Sequence, residues 1–256
     1  MSLTETFSEA SGNASERYLI MTGAFQSVYS TAVGEGVYSE LTTNGVRDEL
    51  RDIGHTHYYA EEMALRQEMQ DVISQARTSA MRHLGYESSK ISLDTVYDAY
   101  NAQYEFTKRE IATQIERDIS QIIKRYRNFG IKVELIRTTN GWSEASSHST
   151  MLMKEKRDKL WFRDRAGRRV PSQRYIRTLW KSSLRDLYVQ AYLSQIAVFG
   201  EKFATIWHPN PKHKSFGSVI YLDGREPAYD DLKDTVFHPN SDALPMVAKY
   251  FEDNFT

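Results

Sequence analysis

The chain has 256 residues, 40% hydrophobic and 12% aromatic, enough for a sizeable core in one large domain or two small ones. Its 33 Lys and Arg against 34 Asp and Glu leave a formal net charge of -1, so the molecule as a whole gives no reason for strong attraction to nucleic acid or membrane. Cysteine is absent, which excludes disulfides, thiolate catalysis and sulfur-ligated zinc. No run approaches the roughly eighteen apolar residues of a membrane span, and the first twenty or so residues lack the charged-then-apolar layout of a secretory signal, so a soluble cytoplasmic protein is expected.

Residues 1–16 are dominated by Ser, Thr, Glu, Asn and Ala, a composition that predicts a mobile arm. A short helix follows over 17–33, stopped by Gly34 and Gly36. Over 46–84 apolar residues recur at Leu65, Met69, Val72, Ile73, Ala76 and Ala80, a helical spacing ended by Gly85 and open to a break near Gly54. Leu93, Tyr97, Tyr100, Tyr104, Ile111, Ile115, Ile119, Ile122, Tyr126 and Phe129 form the strongest stripe, with Ser92 and Gly130 as its caps. Such a helix would be roughly 50 Å long and needs a partner along its length. An antiparallel helical hairpin is therefore expected, a coiled-coil arm for another subunit being the alternative.

After Gly130 the alternation Ile131, Val133, Leu135 reads as a short strand ended by an Asn140-Gly141 turn. A polar helix over 143–161 and a domain boundary within 139–149 are expected next. Asp164 to Arg169 reads as a hairpin-like turn, 172–199 as a helix stopped by Gly200, and 203–207 and 219–222 as strands. The fold class predicted is predominantly helical α+β: an arm over 1–16, a helical region over 17–140 with a long hairpin, and an α+β domain over 141–256 with a small sheet.

Charge is unevenly placed. Between Lys154 and Arg185 twelve Lys or Arg stand against three Asp or Glu, interleaved with Trp161, Phe162, Tyr175 and Trp180, whereas acids outnumber bases from Glu226 to Glu252. Arg and Lys beside aromatic faces suit phosphate contacts, so Arg165, Arg168, Arg169, Arg174, Arg177 and Lys181 are candidates for binding DNA or an acidic partner. The alternative is a solvated face that pairs with the acidic C-terminal part.

The same third of the chain carries two similar tetrapeptides, Trp207-His208-Pro209-Asn210 and Phe237-His238-Pro239-Asn240. In order it runs Asp164-Arg165-Ala166-Gly167-Arg168-Arg169, Tyr175-Ile176-Arg177-Thr178, Gly200, Trp207, His213 and Ser215, Leu222-Asp223-Gly224, then His238-Pro239-Asn240. This order, over about residues 160–244, resembles the C-terminal domain of the phage minor head proteins, the Mu F-like head-morphogenesis and minor capsid family. The resemblance implies a virion component assembled in the host cytoplasm and bound at the capsid interior or portal vertex. Its implied partners are the portal or major capsid protein, with oligomeric copies in the particle and contact with packaged double-stranded DNA in some members. Where the family follows His-Pro-Asn with a Cys-Arg-Cys type ending, Ser241-Asp242-Ala243 stands here. The Arg that precedes the family's central His has only Lys212 or Lys214 as counterpart, so no metal or cysteine role is carried over.

Trp207, His208, His213, His238 and Asn240 are expected to build structural corners, because His-Pro-Asn at a strand exit brings an imidazole and a carboxamide to nearby backbone. The rival is a metal-dependent nuclease in which His208, His213 and His238 converge with Asp223 or Asp230. His55 and His57, two apart on a helix, point to different faces, and His148 lies in a Ser-rich segment. Met151 and Met153 read as packing. No nucleophile elbow, phosphate loop, H-E-x-x-H or dinucleotide fingerprint occurs, so no catalytic residue and no cofactor is expected. A helical head–tail connector is the third candidate.

Overall fold

The structure, a computed structural model, describes residues 3–86, 96–141, 160–164, 166–238 and 241–255. The protein is predominantly helical, with two small antiparallel sheets among the described residues. Its elements are α1 (Leu3–Glu35), α2 (Glu40–His83), α3 (Tyr97–Asn140), β1 (Trp161–Arg163), β2 (Arg169–Pro171), α4 (Ser172–Val198), β3 (Phe203–Trp207), β4 (Val219–Tyr221), α5 (Tyr229–Leu232), β5 (Leu244–Val247) and α6 (Ala248–Phe255). No helix among the described residues is long and apolar enough to cross a membrane.

Two expectations for the helical region are corrected. Residues 3–16 of the expected arm are the first part of α1, in which Phe7, Ser11, Ala14, Tyr18, Met21, Phe25, Val28 and Ala32 are buried. These residues step by three and four, so Ala and Ser supply a helix face that composition alone reads as polar. The strand over 131–135 is the last part of α3. Tyr126, Phe129 and Val133 continue its buried stripe, whereas Ile131 and Leu135 are 67% and 63% exposed. Helical period wins over apparent alternation because only one of the three apolar residues is inward. Gly130 does not cap the helix; a Cβ there would stand 2.6 Å from Tyr38 Cβ, so it lets two backbones approach. The proposed cap Ser92 and Leu93, the expected helix over 143–159 with His148, Met151 and Met153, and the basic residues Lys154 to Lys159 lie outside the described residues. Trp161, expected to end that helix, belongs to β1.

α2 is continuous through Gly54 and ends as expected at Gly85, whose φ of 79° goes with Gly85 N–H donating to Arg82 O and Tyr86 N–H to Met81 O. The expected helix over 172–199 and both strands after it form within a residue or so of their expected limits.

The chain divides into two compact units, and the second continues through the range 139–149 where a boundary was expected. The first comprises Met1–Ser11, Met63–Lys108 and Thr178–Thr256. Its centre is α4, buried on almost every side through Leu179, Trp180, Leu184, Leu187, Tyr188 and Tyr192. The sheet has the order β4-β3-β5, all antiparallel, with Ala204 opposite Ile220 and Val247. α6 packs on it through Phe251 against Phe216 and Phe255 against Trp207.

The second unit comprises Gly12–Glu62 and Arg109–Arg177. Here α1 and α2 are antiparallel: Arg17 pairs with Glu61, Tyr18 meets the His57 ring edge-on, and Phe25 lies beside Gly54. α2 is also antiparallel to α3, as the hairpin expectation required. Gly54 faces Ile115 and Ile119, while Arg47 and Arg51 share a groove with α3 residues as far as Ile131. Burying Glu61 raises its carboxyl pKa, and the Arg17 bonds oppose that rise.

Candidate nucleic-acid interface

The site in the second unit starts from the hairpin. β1 and β2 pair with Trp161 opposite Pro171 and Arg163 opposite Arg169. Residues two apart on a strand share a face, so Trp161, Arg163 and Arg169 lie together. The Arg169 guanidinium is 4.3 Å and that of Arg163 5.7 Å from the Trp161 ring centre. Asp164 closes the turn: its carboxylate accepts the Arg168 backbone N–H and the Arg168 Nε–H, each at 2.8 Å, and those bonds depress its pKa. Gly167, at φ 78°, donates its N–H to Asp164 O. On the opposite face Phe162 meets Tyr175 edge-on and takes Arg117 over its ring. Gln121 of α3 fixes the strand, donating to Trp161 O at 2.6 Å.

Below the hairpin a groove of about 760 Å³ is lined by Arg117, Lys124 and Arg163 over a floor that includes Ala112, Trp161 and Phe162. A second groove, about 480 Å³, is lined by Arg47, Arg51, Lys124 and Arg127. The two share Glu116, Ser120 and Lys124, so they form one continuous face along α3. Among the described residues Glu116 is the only carboxylate lining either groove. Among the described residues Arg51, Lys124 and Arg127 are exposed and make no ion pair. Unpaired cations around an apolar floor attract a polyanion and release its counterions on binding.

The basic residues singled out in the sequence are only partly here. Arg169 joins the face through Trp161, and Arg168, 79% exposed, is held by Asp164 at the turn. Arg174 and Arg177 are exposed on α4. Lys181, half-buried, belongs to the first unit, and Arg165 lies outside the described residues. Arg185, which ended the basic stretch, is buried in the first unit, where it donates to His238 O and Ala243 O, each at 3.2 Å. Sequence reasoning missed Arg47, Arg51, Arg117, Lys124 and Arg127. The signal was present at helical spacing, with Arg117 and Lys124 seven apart and Arg47 and Arg51 four apart, but a charge window along the chain dilutes a stripe that occupies one helix face.

His208, His213 and His238 lie in the first unit. His208 and His213 are stacked, with ring centres 4.0 Å apart and 13° between planes. His238 sits at a turn where Ser241 N–H donates to its carbonyl at 2.8 Å, and Asn240 lies outside the described residues. Asp223 is held by Arg225, and Asp230 pairs with Lys233. Among the described residues no three His, Asp or Glu side chains are placed to hold one metal ion. His55 is exposed, while burial and then Arg17 push His57 down to about 4.

Comparison of the chain with protein-family models, with curated proteins and with solved structures gives no match.

Proposed function

We propose that this protein is a structural component of a phage particle, a minor head protein of the capsid interior or portal vertex, and that its basic face contacts the phosphate backbone of packaged DNA. The observation that supports DNA contact is the continuous face on which Arg47, Arg51, Arg117, Lys124, Arg127 and Arg163 surround Glu116, the one carboxylate among the described residues that line it. The virion placement rests on the motif order from Asp164 to Asn240. That order runs through a turn at Gly167, Arg177-Thr178 on α4, the end of α4 before Gly200, and Trp207 closing β3. Catalysis is no part of this function, which needs positioning and charge only.

Mass spectrometry of purified particles and of DNA-emptied capsids tests the placement. The chain is expected in both, in low copy relative to the shell protein, and its absence from both would remove the virion assignment. A helical connector is the second reading, favoured by the exposure of Leu41 (82%), Ile131 and Leu135. Loss of incorporation in Ile131→Ser/Leu135→Ser, with DNA binding intact, would favour it.

A further inference from the structure

The loop between β3 and β4 carries two imidazoles, each approached at Nδ1 by a backbone N–H. His208 Nδ1 accepts the Asn210 backbone N–H at 3.0 Å and also lies 3.2 Å from the Asn210 carbonyl oxygen. His213 Nδ1 takes the Ser215 hydroxyl at 2.7 Å and the Ser215 N–H at 3.4 Å. A ring whose Nδ1 accepts carries its proton, when neutral, on Nε2. In that tautomer each Nε2 carries an N–H and offers no lone pair to a metal.

The loop is built to keep this arrangement. Asn210 Oδ1 accepts Lys212 N–H at 3.0 Å, Asn210 O accepts His213 N–H at 3.0 Å, and Gly217 N–H returns to Ile206 O at 2.9 Å. Residues 207–218 include Lys212 and Lys214 and no acid. α6, packed on the loop through Phe251 and Phe216, carries the exposed Glu252 and Asp253. Among the described residues no carboxylate forms an ion pair with either ring.

The geometry points to a binding site for a phosphate-type oxyanion at the stacked His208–His213 pair, contacted by the two Nε2–H groups, with Lys212 and Lys214 flanking His213 in the chain. Burial, and then the charges of His208, Lys214 and His238, hold the His213 pKa below its ordinary value. An anion opposes the charge part of that depression, so occupancy and ring protonation favour each other. The site is in the first unit and does not depend on the DNA face proposed above for the second.

The test is a pH titration of the histidine ring signals by NMR on the full chain, assigned with His208→Gln and His213→Gln. It is run in sodium chloride, in inorganic phosphate at matched ionic strength, and with a short DNA duplex. The duplex arm uses the Arg51→Ala/Arg127→Ala protein, so that failure of the other face leaves this site readable. Saturating phosphate is expected to raise the His213 midpoint by about one pH unit, a tenfold preference for the protonated ring. The same rise with duplex identifies a phosphodiester as the source, and a rise with inorganic phosphate alone identifies a free phosphate. Identical titrations in chloride, phosphate and duplex would overturn the proposal, as would saturable capture of both rings by Zn²⁺.

Discussion

Asp118 lies on the inner face of α3 beside Ile115 and Ile119 and carries three donors: the Tyr18 hydroxyl at 2.7 Å, the Ser172 hydroxyl at 2.8 Å and Gln114 Nε2 at 3.0 Å. It ties α1, α3 and the start of α4 within the second unit. Burial pushes its carboxyl from 3.8 up to about 6, against the pull of those donors. Asp118→Ala leaves the Tyr18 and Ser172 hydroxyls without this acceptor at roughly 1–3 kcal/mol apiece, while Gln114 Nε2 keeps its bond to Ser172 Oγ at 3.1 Å, so the denaturant midpoint is expected to fall well below wild type. Asp118→Asn, which still offers an oxygen, is expected to recover part of the loss. An unchanged midpoint in the alanine variant would contradict this role. Little of this was legible in sequence, because helical period identifies the face of an acid but not a partner a hundred positions away. His208 and His213 were legible as candidates, yet their stacking depends on a turn that only the folded loop displays.

At the scale of elements, periodicity proved the better guide than composition. α4, β3 and β4 were readable because an apolar stripe or run is bounded by Gly167, Gly200 and Gly224, all at positive φ. α1 was obscured by small residues, although Ser11, Tyr18, Phe25 and Ala32 recur every seven positions and are buried. The β1–β2 turn was legible from Asp164 and Gly167, but its anchor on α3 was not. Gln121 bonds both polar backbone atoms of Trp161, accepting from its N–H at 3.4 Å as well as donating to its carbonyl. In Gln121→Ala the Trp161 amide is expected to exchange faster with solvent deuterium while α3 amides keep their protection. Equal protection in both proteins would show that the hairpin holds without Gln121.

Over the whole molecule, the buried Asp118 and the half-buried Asp186, His57 and His83 set opposing pH dependences. Asp118 and Asp186 are pushed up to about 6, chiefly by burial, while His57 and His83 are pushed down to about 4 by burial and then by Arg17 and Arg82 respectively. The raised acids contribute stability that is present below 3.8 and lost as pH rises through about 6. The depressed histidines contribute stability that is present above 6.5 and lost as pH falls through about 4. Between about 4 and about 6 these contributions oppose each other, so His83→Phe should uncover a loss of stability as pH rises across that window. A variant whose stability rises there would reverse the assignment. The helical α+β class was legible from stripes and turns, but not the division into units, since each gathers segments that only long helices bring together. The basic face, likewise, draws on α2, α3 and the hairpin, and no single window of sequence contains it. Its most direct test is the salt dependence of duplex DNA binding by wild type, Arg51→Ala/Arg127→Ala and Arg174→Ala/Arg177→Ala. If the six cations of the grooves each meet a phosphate, log Kobs should fall with log salt at a slope of about -5, and the Arg51/Arg127 variant should be shallower by about 2. Binding absent at low salt, or an Arg51/Arg127 variant with the wild-type slope and affinity, would contradict DNA contact through this face.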